Sequence, residues 1–278
     1  MVFNNVLSSF VIIAFAALAA CSPSRSSSKA TIELVSRSQN LTVGIVGGTV
    51  VDGSDPISKM TVAVFVSTMD QNHKPTQFIC GGVLIAEHAV LTAAHCLQSP
   101  GESQVYIIFS SDLSQVDRED VQLASEQIVH PQFGEHGPHG EDLNDLAVLK
   151  FSGPLPSKYR EALLADEAST SAAKVLTIAG YGVTDGTETS TDGKLRRVDV
   201  SKGKPFGETE MILDQSAGKG ACQGDSGGPV FVQINGSFYL WGITSRGAGA
   251  ANDCRSSGIY TKVSTQMNFI NAALRRSK

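Results

Sequence analysis

The 278 residues carry a formal net charge of −5, with 18% charged and 41% hydrophobic residues. That balance excludes a disordered chain and offers no basic excess for binding nucleic acid. With 27 glycines and 10 prolines, the composition fits a loop-rich β protein and excludes a helical bundle, which would be richer in Ala, Glu, Lys and Leu.

Residues 1–20 read as an export signal. The apolar run from Phe10 to Ala20 is too short for a comfortable membrane span and has the length of a signal core. It closes on Leu18-Ala19-Ala20-Cys21, which resembles the lipobox of bacterial lipoproteins, where the cysteine is lipidated and becomes the new N-terminus. Acyl chains on Cys21, at about 0.8 kcal/mol per buried methylene, would hold the protein at a membrane surface. The expected location is therefore a bacterial outer-membrane or cell-surface lipoprotein. Met1-Val2-Phe3-Asn4-Asn5 departs from the pattern, since it lacks the Lys or Arg that opens a signal. A retained membrane anchor and a simple secreted or periplasmic form stand as alternatives.

Residues 21–44 are serine-rich, with Ser26-Ser27-Ser28 at their centre, and read as a tether or propeptide. From Ile45 to Lys278 the texture is that of one folded domain, with short apolar runs punctuated by Gly, Asp, Asn and Pro. Strands are predicted at Met60 to Ser67, Gly82 to Ile85, Val105 to Phe109, Leu146 to Phe151, Lys174 to Ala179, Pro229 to Ile234 and Phe238 to Thr244. Asn235-Gly236 between the last two predicts a hairpin turn, and Asn235-Gly236-Ser237 also matches a glycosylation sequon, the weaker reading. Val263, Met267, Ile270 and Leu274 share one face of a predicted terminal helix. The class is all-β, a barrel or sandwich closed by one helix.

The chemistry centres on Gly224-Asp225-Ser226-Gly227-Gly228. A serine hydroxyl is a poor nucleophile at neutral pH, so it needs a base, a group that orients the base, and fixed donors for the oxyanion. The pentapeptide fits both the Gly-x-Ser-x-Gly elbow of esterases and the serine turn of peptidases. All six histidines (His73, His88, His95, His130, His136 and His139) precede Ser226, which excludes the esterase order. His95 lies in a small-residue turn closed by Cys96. Asp145 opens the apolar run Leu146 to Leu149, where a buried carboxylate needs a strong hydrogen-bonding partner such as an imidazole. Asp142 is the competitor.

Thr92-Ala93-Ala94-His95-Cys96, Asn144-Asp145-Leu146-Ala147-Val148-Leu149 and Cys222-Gln223-Gly224-Asp225-Ser226-Gly227-Gly228-Pro229 together resemble the catalytic blocks of the trypsin and chymotrypsin family. Cys80-Gly81-Gly82, Gly180-Tyr181-Gly182 and Gly258 to Val263 resemble further family segments, so the likeness spans Ile45 to the C-terminus. It implies two six-stranded antiparallel barrels with a C-terminal helix and an active site between the barrels. It implies His95 as base, Asp145 as its orienting group, Ser226 as nucleophile and the N–H groups of Gly224 and Ser226 as the oxyanion hole. The five cysteines leave four once Cys21 is set aside, and the likeness pairs Cys80 with Cys96 and Cys222 with Cys254. No cofactor is implied.

Ile45-Val46-Gly47-Gly48 resembles the family's mature N-terminus, whose freed amine pairs with the aspartate before the nucleophile, here Asp225. Gly44 stands where family precursors usually carry Arg or Lys, so the activating protease is expected to be of another specificity, or the chain itself. The primary pocket maps onto Gly220, Ala221, Ser245, Arg246, Gly247 and Gly258, small and neutral at base and walls. The expectation is an open, uncharged pocket for an apolar or aromatic side chain, with Lys219 a weaker route to acidic ones. Arg246 stands where the family typically has an aromatic residue, pointing to polar or acidic groups in the neighbouring subsite. The loop with His130, His136, His139, Glu141 and Asp142 reads as solvated, because its spacing is irregular for a metal site, which stands as the weaker alternative. The sequence thus predicts an exported serine endopeptidase acting on protein or peptide, with a non-catalytic surface-binding homologue as the alternative.

Overall fold

The computed structural model describes residues 45–70, 74–98, 103–138, 143–184, 193–249 and 254–276. The signal, the tether, Cys21, His73, His139, Glu141 and Asp142 lie outside the described residues.

After the short strand β1 (Thr49–Val50), six strands form the first half: β2 (Thr61–Met69), β3 (Pro75–Ala86), β4 (Ala89–Thr92), β5 (Gln104–Ile108), β6 (Val121–Val129) and β7 (Ala147–Phe151). They close into a barrel in the order β2-β3-β4-β7-β6-β5, every pairing antiparallel. Closure removes both sheet edges. Val64, Leu84, Leu91, Ile107, Val148 and Phe151 fill the interior and are fully buried.

The second half contains β8 (Leu163–Leu164), β9 (Val175–Gly180), β10 (Arg196–Ser201), β11 (Lys204–Phe206), β12 (Glu210–Asp214), β13 (Pro229–Ile234), β14 (Ser237–Gly247) and β15 (Ser257–Lys262). With β1 they make one nine-stranded sheet along the path β1-β10-β9-β13-β14-β15-β12-β11, and β8 adds in parallel to β14. The closed six-stranded barrel followed by a second sheet and one C-terminal helix is the all-β architecture expected. β13 and β14 meet at Asn235 and Gly236, with φ of 49° and 82°, the left-handed pair a two-residue hairpin turn requires. A second core gathers Ile45, Leu176, Ile178, Leu213, Val230 and Tyr260.

The C-terminal helix (Met267–Arg275) belongs by sequence to the second half yet packs on the first. Val263, Ile270 and Ala273 join the first core. Lys150 of β7 donates to the terminal carbonyls of Leu274 and Arg276, and His130 lies against Phe269 with ring centroids 4.6 Å apart. The helix thus straps the halves together and satisfies carbonyls that its own end leaves without partners.

Candidate active site

His95 sits in a short 3₁₀ turn, Ala94–Leu97, that follows β4. Cys96 is bonded to Cys80 of β3, so the turn is tied covalently to the barrel beside the imidazole. Asp145 stands just before β7 and is only 2% exposed. Asn144 before it adopts φ 65°, a left-handed backbone that Asn tolerates better than most residues, and its side-chain oxygen accepts from Gln266 at 3.0 Å. This kink turns the Asp145 carboxylate back toward His95.

The two residues meet twice. His95 Nδ1 lies 2.8 Å from Asp145 Oδ2, and the His95 backbone N–H donates to Oδ1 at 2.9 Å. Ser245 Oγ donates to Oδ2 at 2.5 Å. Burial pushes the Asp145 carboxyl upward, but the hydrogen bond and charge of His95, with the Ser245 hydroxyl, outweigh it and hold the group below its ordinary value. An ionised carboxylate only accepts, so Nδ1 is the donor in this pair, and in the neutral ring the lone pair is left on Nε2. The expected partnership of His95 with Asp145 is present; Asp142 lies outside the described residues.

Ser226 follows Gly224, whose φ is 89°, and precedes Gly227, whose φ is 77°. The turn is pressed against the first barrel. A Cβ on Gly227 would lie 2.2 Å from Thr92 Oγ1 and 2.5 Å from the Gly81 carbonyl oxygen, and one on Gly81 would lie 2.5 Å from Gly228 Cα. Gly81 N–H donates to the Ser226 carbonyl at 2.7 Å. Glycine is required at 81 and 227 because backbones from the two halves touch there. Ser226 Oγ donates to the Ser245 carbonyl at 3.4 Å, and it lines the same cleft as His95 and Asp145.

Asp225 is fully buried, its oxygens accepting from Gly182 N–H at 2.6 Å and Cys222 N–H at 2.8 Å. A Cβ on Gly180 or Gly182 would come within 2.3 Å of the carboxylate, which explains the Gly180-Tyr181-Gly182 pattern. Burial raises the Asp225 carboxyl to about 7 despite the two backbone donors. Ile45 is also fully buried, and Val46 exchanges backbone hydrogen bonds with Gly220 at 3.0 and 3.2 Å. The segment from Ile45 is thereby bound to Gly220, behind the cleft.

The Trypsin family model matches residues 45–270. The chain belongs to the trypsin family of serine proteases. Kallikrein-11 of Mus musculus is 32% identical over 215 residues, covering 73% of this chain and 75% of the relative. Urokinase-type plasminogen activator of Gallus gallus is 33% identical over 224 residues, covering 70% of this chain and 51% of the relative. Vitamin K-dependent protein C of Oryctolagus cuniculus is 28% identical over 218 residues, covering 69% and 46%.

The protease holds both disulfides expected from the likeness, Cys80 with Cys96 and Cys222 with Cys254. Two such bonds fit a protein exported to an oxidising compartment. Among the described residues, the metal-ligating types that cluster are Cys80, His95 and Cys96, and both sulfurs are joined to each other. His130 is buried against Phe269, and burial lowers its pKa. Its Nδ1 accepts from Gln132 N–H at 3.2 Å.

The pocket positions Gly220, Ala221, Ser245, Arg246, Gly247 and Gly258 cluster around the cleft, a cavity of about 350 Å³ lined by all of them except Gly220. Gly220 lies behind Gln215: a Cβ at 220 would be 2.2 Å from Gln215 Cδ. Gln215, a residue the sequence reading passed over, thus occupies the space beside Gly220 and lines the cleft. Lys219 is exposed, leans on Gly47 and is no wall of the cleft. Arg246 is held by Glu210 of β12, which sequence reasoning also missed. The signal was present: Glu210 opens a strand of the apolar run Met211-Ile212-Leu213, as Asp145 opens Leu146 to Leu149, and a carboxylate so placed needs a partner.

Proposed function

We propose that the protein is an exported serine endopeptidase in which His95, Asp145 and Ser226 act as a triad. One observation carries this reading: the doubly bonded His95 and Asp145 pair opens into the same cleft as Ser226. Ser226 Oγ attacks the peptide carbonyl while His95 Nε2 takes its proton and later gives it to the leaving amine. Asp145 fixes the ring and stabilises the imidazolium. The N–H groups of Gly224 and Ser226 receive the oxyanion, an arrangement worth on the order of 10²- to 10³-fold per donor in measured cases. The hydroxyl leans toward the Ser245 carbonyl; the nucleophile-to-base hydrogen bond is one that tightens when substrate is bound.

Cleavage after Gly44 would free an amine at Ile45. Ile45 is already part of the second core, and Asp225 is buried with two neutral donors and a raised pKa. A cation arriving there supplies the charge that makes the buried carboxylate stable. An activating protease, or self-processing, is the further partner of the precursor. Anchorage through Cys21 places the domain on a membrane surface by way of residues 21–44. The cleft takes an uncharged side chain immediately before the scissile bond, because none of the residues at its base carries a charge.

The test is titration with an irreversible serine-directed probe and mass spectrometry of the active chain. One probe per chain on Ser226, none on Ser226→Ala, and an N-terminus at Ile45 are expected. A Ser226→Ala protein with parental turnover, or a fully active chain that keeps residues before Ile45, contradicts the scheme.

A further inference from the structure

We propose that Gln215 is the floor of the primary specificity pocket and restricts it to short, uncharged aliphatic side chains, excluding aromatic and basic ones. The proposal rests on the cleft being the peptide-binding site of a serine peptidase, and it decides between the apolar and aromatic substrates that the small pocket residues leave open.

Gln215 directly follows β12 and is 2% exposed. Its amide lies between the two glycines that were expected to leave the base empty. A Cβ at Gly220 would be 2.2 Å from Gln215 Cδ, and one at Gly258 would be 2.4 Å from Oε1. Glycine at both positions is thus space for this amide, supplied from an earlier segment, and not space for substrate. The mouth differs, since nothing lies within 4 Å of where a Cβ on Gly247 would be. The pocket is open at its entrance and stopped short at its end.

The floor is also fixed and saturated. Nε2 donates to the Ala221 carbonyl at 2.9 Å and to the Cys254 carbonyl at 3.0 Å. Oε1 accepts from Ala221 N–H at 3.2 Å and from the Tyr260 hydroxyl at 2.9 Å. An amide has two donors and two acceptor sites, and all four are used. The amide itself has no acceptor site left for a Lys or Arg head, and among the described residues at this end of the cleft no carboxylate is present to pair with one, so burying such a cation there is unfavourable. A large ring must either stop short of full insertion or break this network. Tyr260 is itself fully buried, so the floor is backed by a rigid wall.

The experiment compares kcat/KM on a peptide series identical except for Ala, Val, Leu, Phe or Lys before the scissile bond. The enzymes are the mature protein and its Gln215→Ala variant. Size discrimination in an apolar pocket is worth about 10–200-fold per methylene. The parent is expected to favour Val over Phe by at least about tenfold and to cut the Lys peptide least. Gln215→Ala should raise the Phe-to-Val ratio by a similar factor. A parent that prefers Phe to Val overturns the proposal, whether or not the variant folds. A soluble variant with an unchanged Phe-to-Val ratio overturns it as well. Labelling of Ser226 by a serine-directed probe reports separately on the peptidase reading, so a wrong pocket and a wrong enzyme class give different results.

Discussion

Arg246 and Glu210 form a two-pronged ion pair, Nη1 to Oε1 at 2.6 Å and Nη2 to Oε2 at 2.9 Å, with the Glu210 side chain fully buried and the Arg246 side chain 24% exposed. Nη1 also donates to Ser245 Oγ at 3.1 Å, and Ser245 bonds Asp145. The charged pair is therefore linked to the Asp145 carboxylate through two hydrogen bonds, by way of Ser245. Because the Arg246 charge is matched by Glu210, the expected preference of the neighbouring subsite for acidic groups is weakened.

Truncating one member of such a pair is expected to cost far more than replacing both. Arg246→Met leaves Glu210 buried without its two-pronged partner and should destabilise by about 3–5 kcal/mol. The double variant Glu210→Met with Arg246→Met should recover most of that loss. Denaturant unfolding of both singles and the double measures the coupling, and additive losses would show that the pair has no mutual dependence.

Catalysis should depend on Asp145 through the tautomer of His95. Asp145→Asn keeps the shape but offers the ring an amide, and kcat is expected to fall by about 10⁴-fold, the loss seen for the equivalent change in a related serine protease. Ser245→Ala removes one donor to the carboxylate and should lower kcat by roughly tenfold, with a smaller change in KM. Steady-state kinetics on an activated ester and a peptide check both values.

The blocks around His95, Asp145 and Ser226 were legible because their packing allows few alternatives. The turn at Ser226 is cramped enough to need glycine, and Asp145 at the head of a buried run needs a partner, which His95 is. Strands with continuous apolar runs, such as β2, β7 and β13, were legible for the same reason. β6 was not: Val121–Val129 is largely half-exposed, with Gln122, Ser125, Glu126 and Gln127 interrupting its apolar residues. β10 carries Arg196, Arg197 and Asp199, and β12 opens on Glu210, whose partner lies 36 residues away. Gln215 belongs to no motif. Its role comes from glycines at 220 and 258 that read as emptiness in one dimension and as room for a neighbour in three.

The disulfide beside His95 should matter for both stability and rate. Cys80 and Cys96 are 16 residues apart, a loop worth about 3 kcal/mol in the chain-entropy treatment. Cys80→Ala with Cys96→Ala is expected to lower Tm by roughly 6–12 °C for a domain of this size. Freeing the His95 turn should also reduce kcat below the melting range. A variant with lowered Tm and parental kcat would confine the bond to a stabilising role.

Asp225 gives the precursor a pH dependence that activation should remove. Its pKa is raised by burial from 3.8 to about 7, so the folded uncut chain binds a proton more tightly than the unfolded chain. The resulting stabilisation is fully present below 3.8 and is lost as pH rises through about 7. At about 1.4 kcal/mol per unit, the loss amounts to several kcal/mol. A chain starting at Ile45 brings an ammonium to the carboxylate and keeps it ionised without that loss. Thermal melts of the Ser226→Ala chain, intact and cut before Ile45, are expected to diverge as pH rises from about 4 to about 7, with the intact form falling. Parallel curves would mean that the Ile45 amine does not reach Asp225, and activation would then have to work through another contact.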